Sequence, residues 1–167
     1  MGAGKTSVGR SLSQLLNWEF EDLDDRIERN EGRTVNEIFR TLGEPAFRHA
    51  EKAALRQVLN DLERGSNRVV ALGGGAFVQK ANAAALKAAA IPTVFLDADV
   101  DALWRRCQEQ AGRQGTSRPL LSSLEEFAAL HQKRHQAYLA ASVRIDTGRR
   151  KVEEISAEIA ETLSLKP

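Results

Sequence analysis

Two short apolar runs end in abrupt punctuation: "RVVAL" (68–72) runs into Gly73-Gly74-Gly75, and "PTVFLD" (92–97) runs into an acidic turn. Short, uninterrupted apolar runs bounded by turn residues read as strands buried on both faces, the kind that parallel sheets use. The segments around them carry helical periodicity instead. "KTSVGRSLSQLLNW" places Val8, Leu12, Leu15 and Leu16 on one helical face, and a helix from about 44 to 62 has Phe47, Ala50, Ala54, Leu55, Val58 and Leu62 as its buried stripe. "DDRIERNEG" and "TVNEIFRTLG" read as shorter helices closed by Gly32 and Gly43. "VQKANAAALKAAA", "DVDALWRRCQEQ", "SLEEFAALHQKRHQAYLAA" and "VEEISAEIAETL" are helical, while "FEDLD" and "SVRID" read as further strands. Strands alternating with helices predict an α/β fold around a mainly parallel sheet.

The length of 167 residues suits one domain, 1–167, with a substantial core. A formal net charge of +1 argues against a nucleic-acid surface built on bulk positive charge. The single cysteine, Cys107, forbids an internal disulfide and fits a reducing cytoplasm. No stretch is long and apolar enough for a transmembrane helix, and no secretory signal pattern opens the chain. The expectation is a cytoplasmic monomer without a membrane or nucleic-acid partner.

The N-terminal "GAGKTS" matches the second half of the phosphate-loop pattern G-x-x-x-x-G-K-[ST]. Read as such, Gly2, Ala3 and Gly4 turn backbone N–H groups towards phosphate oxygens, and the helix opening at Lys5, Thr6 and Ser7 presents its positive end. Lys5 would neutralise the β- and γ-phosphates and Thr6 would ligate Mg²⁺. The alternative is a solvated helix start. "DLD" offers Asp22 and Asp24 at a strand end, where open α/β sheets bind ligands, or an acidic turn that opens a helix. Arg48 and Glu51 share a helix face, as a surface ion pair or as part of a pocket. Three consecutive glycines, Gly73 to Gly75, cost conformational entropy and fit a place where backbone approaches a ligand closely. Arg118 beside a proline and Arg134 on the next helix offer forks suited to carboxylate or phosphate, or are surface residues. His49, His131 and His135 lack metal-ligand spacing, and Trp18, Trp104 and Cys107 read as packing residues.

In order and spacing, "GAGKT", "DLD", "GEPAFRHAE", "GGG", "RPLL", "QKR" and "VRIDT" together resemble the shikimate kinase family. The resemblance runs from residue 2 to about 150. It implies a three-layer α/β/α P-loop kinase fold with a parallel sheet in the order 2-3-1-4-5, and ATP-dependent phosphorylation of the 3-hydroxyl of shikimate on the route to chorismate and the aromatic amino acids. Carried over by motif, Gly2, Ala3, Gly4, Lys5, Thr6 and Ser7 hold ATP, and Thr6 and Asp22 hold Mg²⁺. Asp24 meets the shikimate hydroxyl as the base. Arg48 and Arg134 clamp the carboxylate, Gly73, Gly74 and Gly75 line that pocket, and Glu51 helps to position Arg48 and the ring hydroxyls of the substrate. Arg118 closes over the phosphoryl group on a lid at 111–118, the helices at about 24–62 bind substrate, and Arg106 and Arg149 contribute to the nucleotide site.

The chain departs from the family at its front, where the first strand and the first loop glycine are absent. In the family's order that strand is central. Burying about four of its apolar side chains at ~1.5–3 kcal/mol each contributes roughly 6–12 kcal/mol, comparable to a domain's net stability of about 5–15 kcal/mol. The expectation is therefore that Met1 is an internal methionine and that the natural chain begins about ten residues earlier, with an apolar strand and the first glycine of the loop pattern. A proline that the family often carries near Val152 is also missing. Rival readings are a gluconate-kinase-like enzyme of the same fold and a non-catalytic ligand-binding module. Arg48, Arg134 and the glycines oppose the first, and retention of Lys5, Asp24 and Arg118 opposes the second.

Overall fold

The computed structural model describes residues 2–114 and 123–167, the side chains of 110–114 excepted. The chain runs α1 (Lys5–Leu16), β1 (Glu19–Asp22), α2 (Leu23–Glu31), α3 (Val35–Glu63), β2 (Arg68–Ala71), α4 (Lys80–Ala88), β3 (Val94–Asp97), α5 (Val100–Gln114), α6 (Leu124–Tyr138), β4 (Val143–Asp146) and α7 (Val152–Thr162). Each strand expected from an apolar run is present. Gly32 ends α2 in the left-handed conformation at φ 62°. Gly43 (φ 81°) and the following Pro45 break α3 into the two helices that the sequence predicts there.

The described strands form two parallel pairs. β1 pairs with β2 in register from Glu19↔Arg68 to Asp22↔Ala71, and β3 pairs with β4 from Val94↔Val143 to Asp97↔Asp146. The two pairs correspond to 2-3 and 4-5 of the family order, as expected with strand 1 absent from these residues. Between them lies an apolar slot of about 500 Å³, bordered by Val8, Leu12, Trp18, Val69, Phe95 and Leu96. Trp18 and His131 both border it, and each leaves a ring nitrogen buried without a hydrogen-bond partner among the described residues.

Alternation along the strands builds the layers. On β2, Val69 joins the cluster of α1 and α7, while Val70 joins the opposite cluster formed by α2, α3 and α4. On β3, Leu96 packs with α1 and α7, while Phe95 turns to Tyr138 and His135 of α6. Successive residues of a strand point to opposite faces, which gives helices on both sides. Helix α1 bridges the two strand pairs through Val8, Leu12 and Leu16. Leu15, expected on that face, is 51% exposed. The stripe follows an i, i+4 spacing, and Leu15 falls one residue, about 100°, off it.

A buried ionic hub ties β1 and β2 to α2 and α3. The Glu21 carboxylate accepts hydrogen bonds from Arg26 (2.8 and 2.7 Å), Arg29 (2.6 Å) and Arg68 (2.8 Å). Arg26 also donates to Asp61 at 2.8 Å. Burial alone would raise the Glu21 carboxyl, but the hydrogen bonds and charges of Arg26 and Arg68 outweigh it and hold the group below its ordinary value. The segment 111–118, expected to be a lid loop, begins inside α5, which continues to Gln114. Ala111, Arg113 and Gln114 favour helix and extend it past Gly112. The remainder of that segment, with Arg118, lies outside the described residues.

Removing one partner of a buried ion pair strands the others, so Glu21→Gln is expected to destabilise the fold by about 3 kcal/mol in urea denaturation. The sign with pH follows from the lowered carboxyl. The difference between the two proteins is full above the ordinary value of 4.5 and disappears as pH falls through the lower folded-state value.

Candidate active site

In each parallel pair the two strands deliver their carboxyl ends to one edge, and the candidate site residues follow these strand ends. At its phosphate end, Gly2 and Gly4 have φ of 67° and 82°, a left-handed conformation that suits glycine. A methyl group on Gly2 would lie 2.3 Å from the Leu103 carbonyl oxygen, so the loop is pressed against the start of α5. Helix α1 opens at Lys5 with no side-chain cap, which leaves its first-turn donors and positive end for an anion. The Thr6 hydroxyl donates to Asp22 Oδ2 at 3.4 Å, while Asp22 Oδ1 accepts from the Asp24 backbone at 3.1 Å and caps α2. The acidic turn does open a helix, and the same side chain leaves its second oxygen beside Thr6.

The Thr6–Asp22 pair also answers whether a divalent cation fits. Among the described residues no cluster of three His, Cys, Asp or Glu has metal-binding geometry. A hydroxyl beside a single carboxylate instead suits Mg²⁺, which keeps most of its waters and leans on substrate phosphates.

The other end of the site gathers residues from α2, α3, α6 and the turn after β2. Glu51 is 1% exposed and accepts from Arg48 Nη1 at 3.1 and 2.9 Å, so the pair is not a surface ion pair. Burial pushes the Glu51 carboxyl up, Arg48 pulls it down, and the charge of Asp24 adds to the push. Arg48 also donates from Nε and Nη2 to Glu44 at 3.1 and 3.0 Å.

The three glycines each face one of these groups. A methyl group on Gly73 would meet Asp24 Oδ1 at 3.1 Å and Glu51 Oε1 at 3.5 Å. On Gly74 it would meet Arg134 Nη1 at 3.1 Å and the Tyr138 hydroxyl at 3.6 Å, and on Gly75 both terminal nitrogens of Arg48 at 2.6 Å. None of the three has a positive φ. Close approach, not unusual backbone, selects glycine here, and what the backbone approaches is the pocket's own side chains.

At the far side, Arg106 donates to the Thr147 hydroxyl (3.3 Å), the Thr147 carbonyl (2.9 Å) and the Gly148 carbonyl, fixing the loop that carries exposed Arg149. Lys5, Gly73, Gly74 and Tyr138 also border the apolar slot between the strand pairs.

A family model described as shikimate kinase matches residues 1–164. The chain belongs to the shikimate kinase family. Relatives include a shikimate kinase of Cereibacter sphaeroides, 39% identical with 100% of this chain and 80% of the relative covered, and one of Geobacter metallireducens, 42% identical with 95% and 85% covered. Among solved structures, the shikimate kinase of Acinetobacter baumannii in complex with shikimate superposes with a TM-score of 0.81 at 32% identity, over 98% of this chain and 89% of that one. The three-layer P-loop kinase architecture follows from these likenesses and from the helices found on both faces of the strands.

Sequence reasoning passed over Glu44 and Tyr138. Both were detectable as i, i+4 partners of expected site residues, Glu44 before Arg48 and Tyr138 after Arg134. Overpacking a filled site costs about 1–3 kcal/mol. Gly75→Ala is expected to fall in that range, because Arg48 is held by two carboxylates and cannot yield freely. Gly74→Ala should cost clearly less. Thermal denaturation of the two variants reads this ranking, and equal melting temperatures would contradict it.

Proposed function

We propose that the chain transfers the γ-phosphoryl group of ATP to the 3-hydroxyl of shikimate, working as one domain. The observation that carries this reading is the convergence of Arg48 and Arg134 on adjacent glycines, beside Asp24 and the buried Glu51. Two guanidinium groups beside one pocket favour a carboxylate ligand, because forked charge-assisted hydrogen bonds match its geometry. Glu51 keeps Arg48 charged and fixes its direction.

Asp24 sits between the two ends of the site, tied to the Asp22 cap and facing Gly73. In this reading it accepts the proton of the substrate hydroxyl as the hydroxyl oxygen bonds to the γ-phosphorus and the bond to the ADP oxygen breaks. Phosphoryl transfer depends mainly on positioning and on neutralising charge. Lys5 and the positive end of α1 would neutralise the β- and γ-phosphates. Mg²⁺ held by Thr6 and Asp22 would neutralise more of the same charge. Arg106 and Arg149 would border the nucleotide base.

A gluconate-kinase-like activity would also use the phosphate end, and its acceptor carries a carboxylate too, so the acceptor is separated by turnover. A non-catalytic module has no use for Lys5 and Asp24 together. A coupled ADP-release assay separates the three: turnover is expected with shikimate, and only background with gluconate or no acceptor. Asp24→Asn is expected to lower kcat by about 10²–10⁴-fold, the usual worth of a positioned base, with nucleotide affinity nearly unchanged. Lost ATP affinity with intact turnover is the result that removes Asp24 from the role of base.

A further inference from the structure

Tyr138 ends α6 one turn after Arg134, and its hydroxyl donates to the carbonyl oxygen of Gly74. Its ring packs on Phe95 of β3, with centroids 5.2 Å apart. Burial pushes the phenol above its ordinary value. A methyl group on Gly74 would lie 3.1 Å from Arg134 Nη1 and 3.6 Å from the Tyr138 hydroxyl, so both side chains lie against the same face of the turn. The Phe95 contact sets the ring, the ring sets the hydroxyl, and the hydroxyl holds the turn against which Arg134 lies.

We infer that Tyr138 is a positioning residue for carboxylate selection: its hydroxyl pins the Gly74 carbonyl and so fixes the turn against which the Arg134 fork lies to meet the acid group of the substrate. The inference rests on the proposed carboxylate clamp. Tyr138 does not touch the reacting oxygen or the phosphate, so it acts on binding of the acid through Arg134 and leaves the transfer step alone. The arrangement also explains why the turn carries no side chain at Gly74. A methyl group there would enter the space between Tyr138 and Arg134.

The test uses Tyr138→Phe, which keeps the ring against Phe95 and removes one hydrogen bond. A typical buried hydrogen bond corresponds to roughly three- to tenfold in an equilibrium constant. The variant is expected to raise KM for shikimate by about that factor, with kcat within about twofold and KM for ATP unchanged. The decisive readout is kcat/KM for shikimate against its methyl ester, which lacks the carboxylate charge. Tyr138→Phe should reduce this preference by the same factor, because the ester gains nothing from a well-held Arg134. An equal loss with acid and ester, even with a lowered melting temperature, marks a purely structural residue and overturns the inference. So does no change with either.

Arg134→Ala distinguishes the two levels. If it abolishes the preference for the acid while Tyr138→Phe preserves it, the clamp stands and the role of Tyr138 falls. If Arg134→Ala itself leaves the preference intact, the clamp falls and the inference with it.

Discussion

Helix α1 is the constraint on which the rest of this molecule depends. Its buried face, Val8, Leu12 and Leu16, belongs to one apolar cluster with Val69 of β2, Leu96 of β3, Ile145 of β4 and Ile155 and Ile159 of α7. Among the described residues no backbone hydrogen bonds join β2 to β3, and the side chains of α1 share one apolar cluster with Val69 of β2 and Leu96 of β3. The same helix begins at the phosphate loop, where Gly4 turns the chain and Thr6 meets Asp22. A shift of α1 would therefore disturb the core and the phosphate end together. Gly9 contributes to the fit: a methyl group there would lie 2.6 Å from the Phe20 ring, so the helix approaches β1 as closely as backbone allows.

The second organising feature is charge buried in a balanced form. Glu21 and Glu51 are both nearly inaccessible carboxylates, and each meets arginine at hydrogen-bond distance. Their environments differ in a way that matches their places. Glu21 is met by three arginines and titrates below its ordinary value, as expected of a structural hub. Glu51 has Arg48 on one side and Asp24 on the other, and burial leaves it above its ordinary value. One network joins secondary structure across the β1–β2 pair. The other stores a directed guanidinium beside the carboxylate that faces Gly73.

Much of the site was legible in the chain because its motifs are local. "GAGKT", "DLD" and "GGG" each lie at a strand end or helix start, where short-range rules assign a conformation and a side of the sheet. The companions of those motifs were less legible. Glu44 and Tyr138 lie one helical turn from recognised arginines, but spacing alone does not say whether a neighbour on a helix faces a pocket or water. The hub on Glu21 joins residues up to 47 positions apart, and no local pattern marks Arg68 as its partner. Leu15 failed in the opposite sense: hydrophobicity placed it in the core, and the phase of the helix turned it outwards.

By itself the sequence determined the alternation of strands and helices, the family, and the types of residue available for binding phosphate and a carboxylate. These are consequences of local propensity, periodicity and motif spacing. Tertiary structure decided which strands are neighbours: β1 pairs with β2 and β3 with β4 across long stretches of chain, which no local pattern encodes. It also decided that Arg48 and Arg134, 86 positions apart, converge on neighbouring glycines, since only folding brings α3 and α6 to opposite sides of one turn.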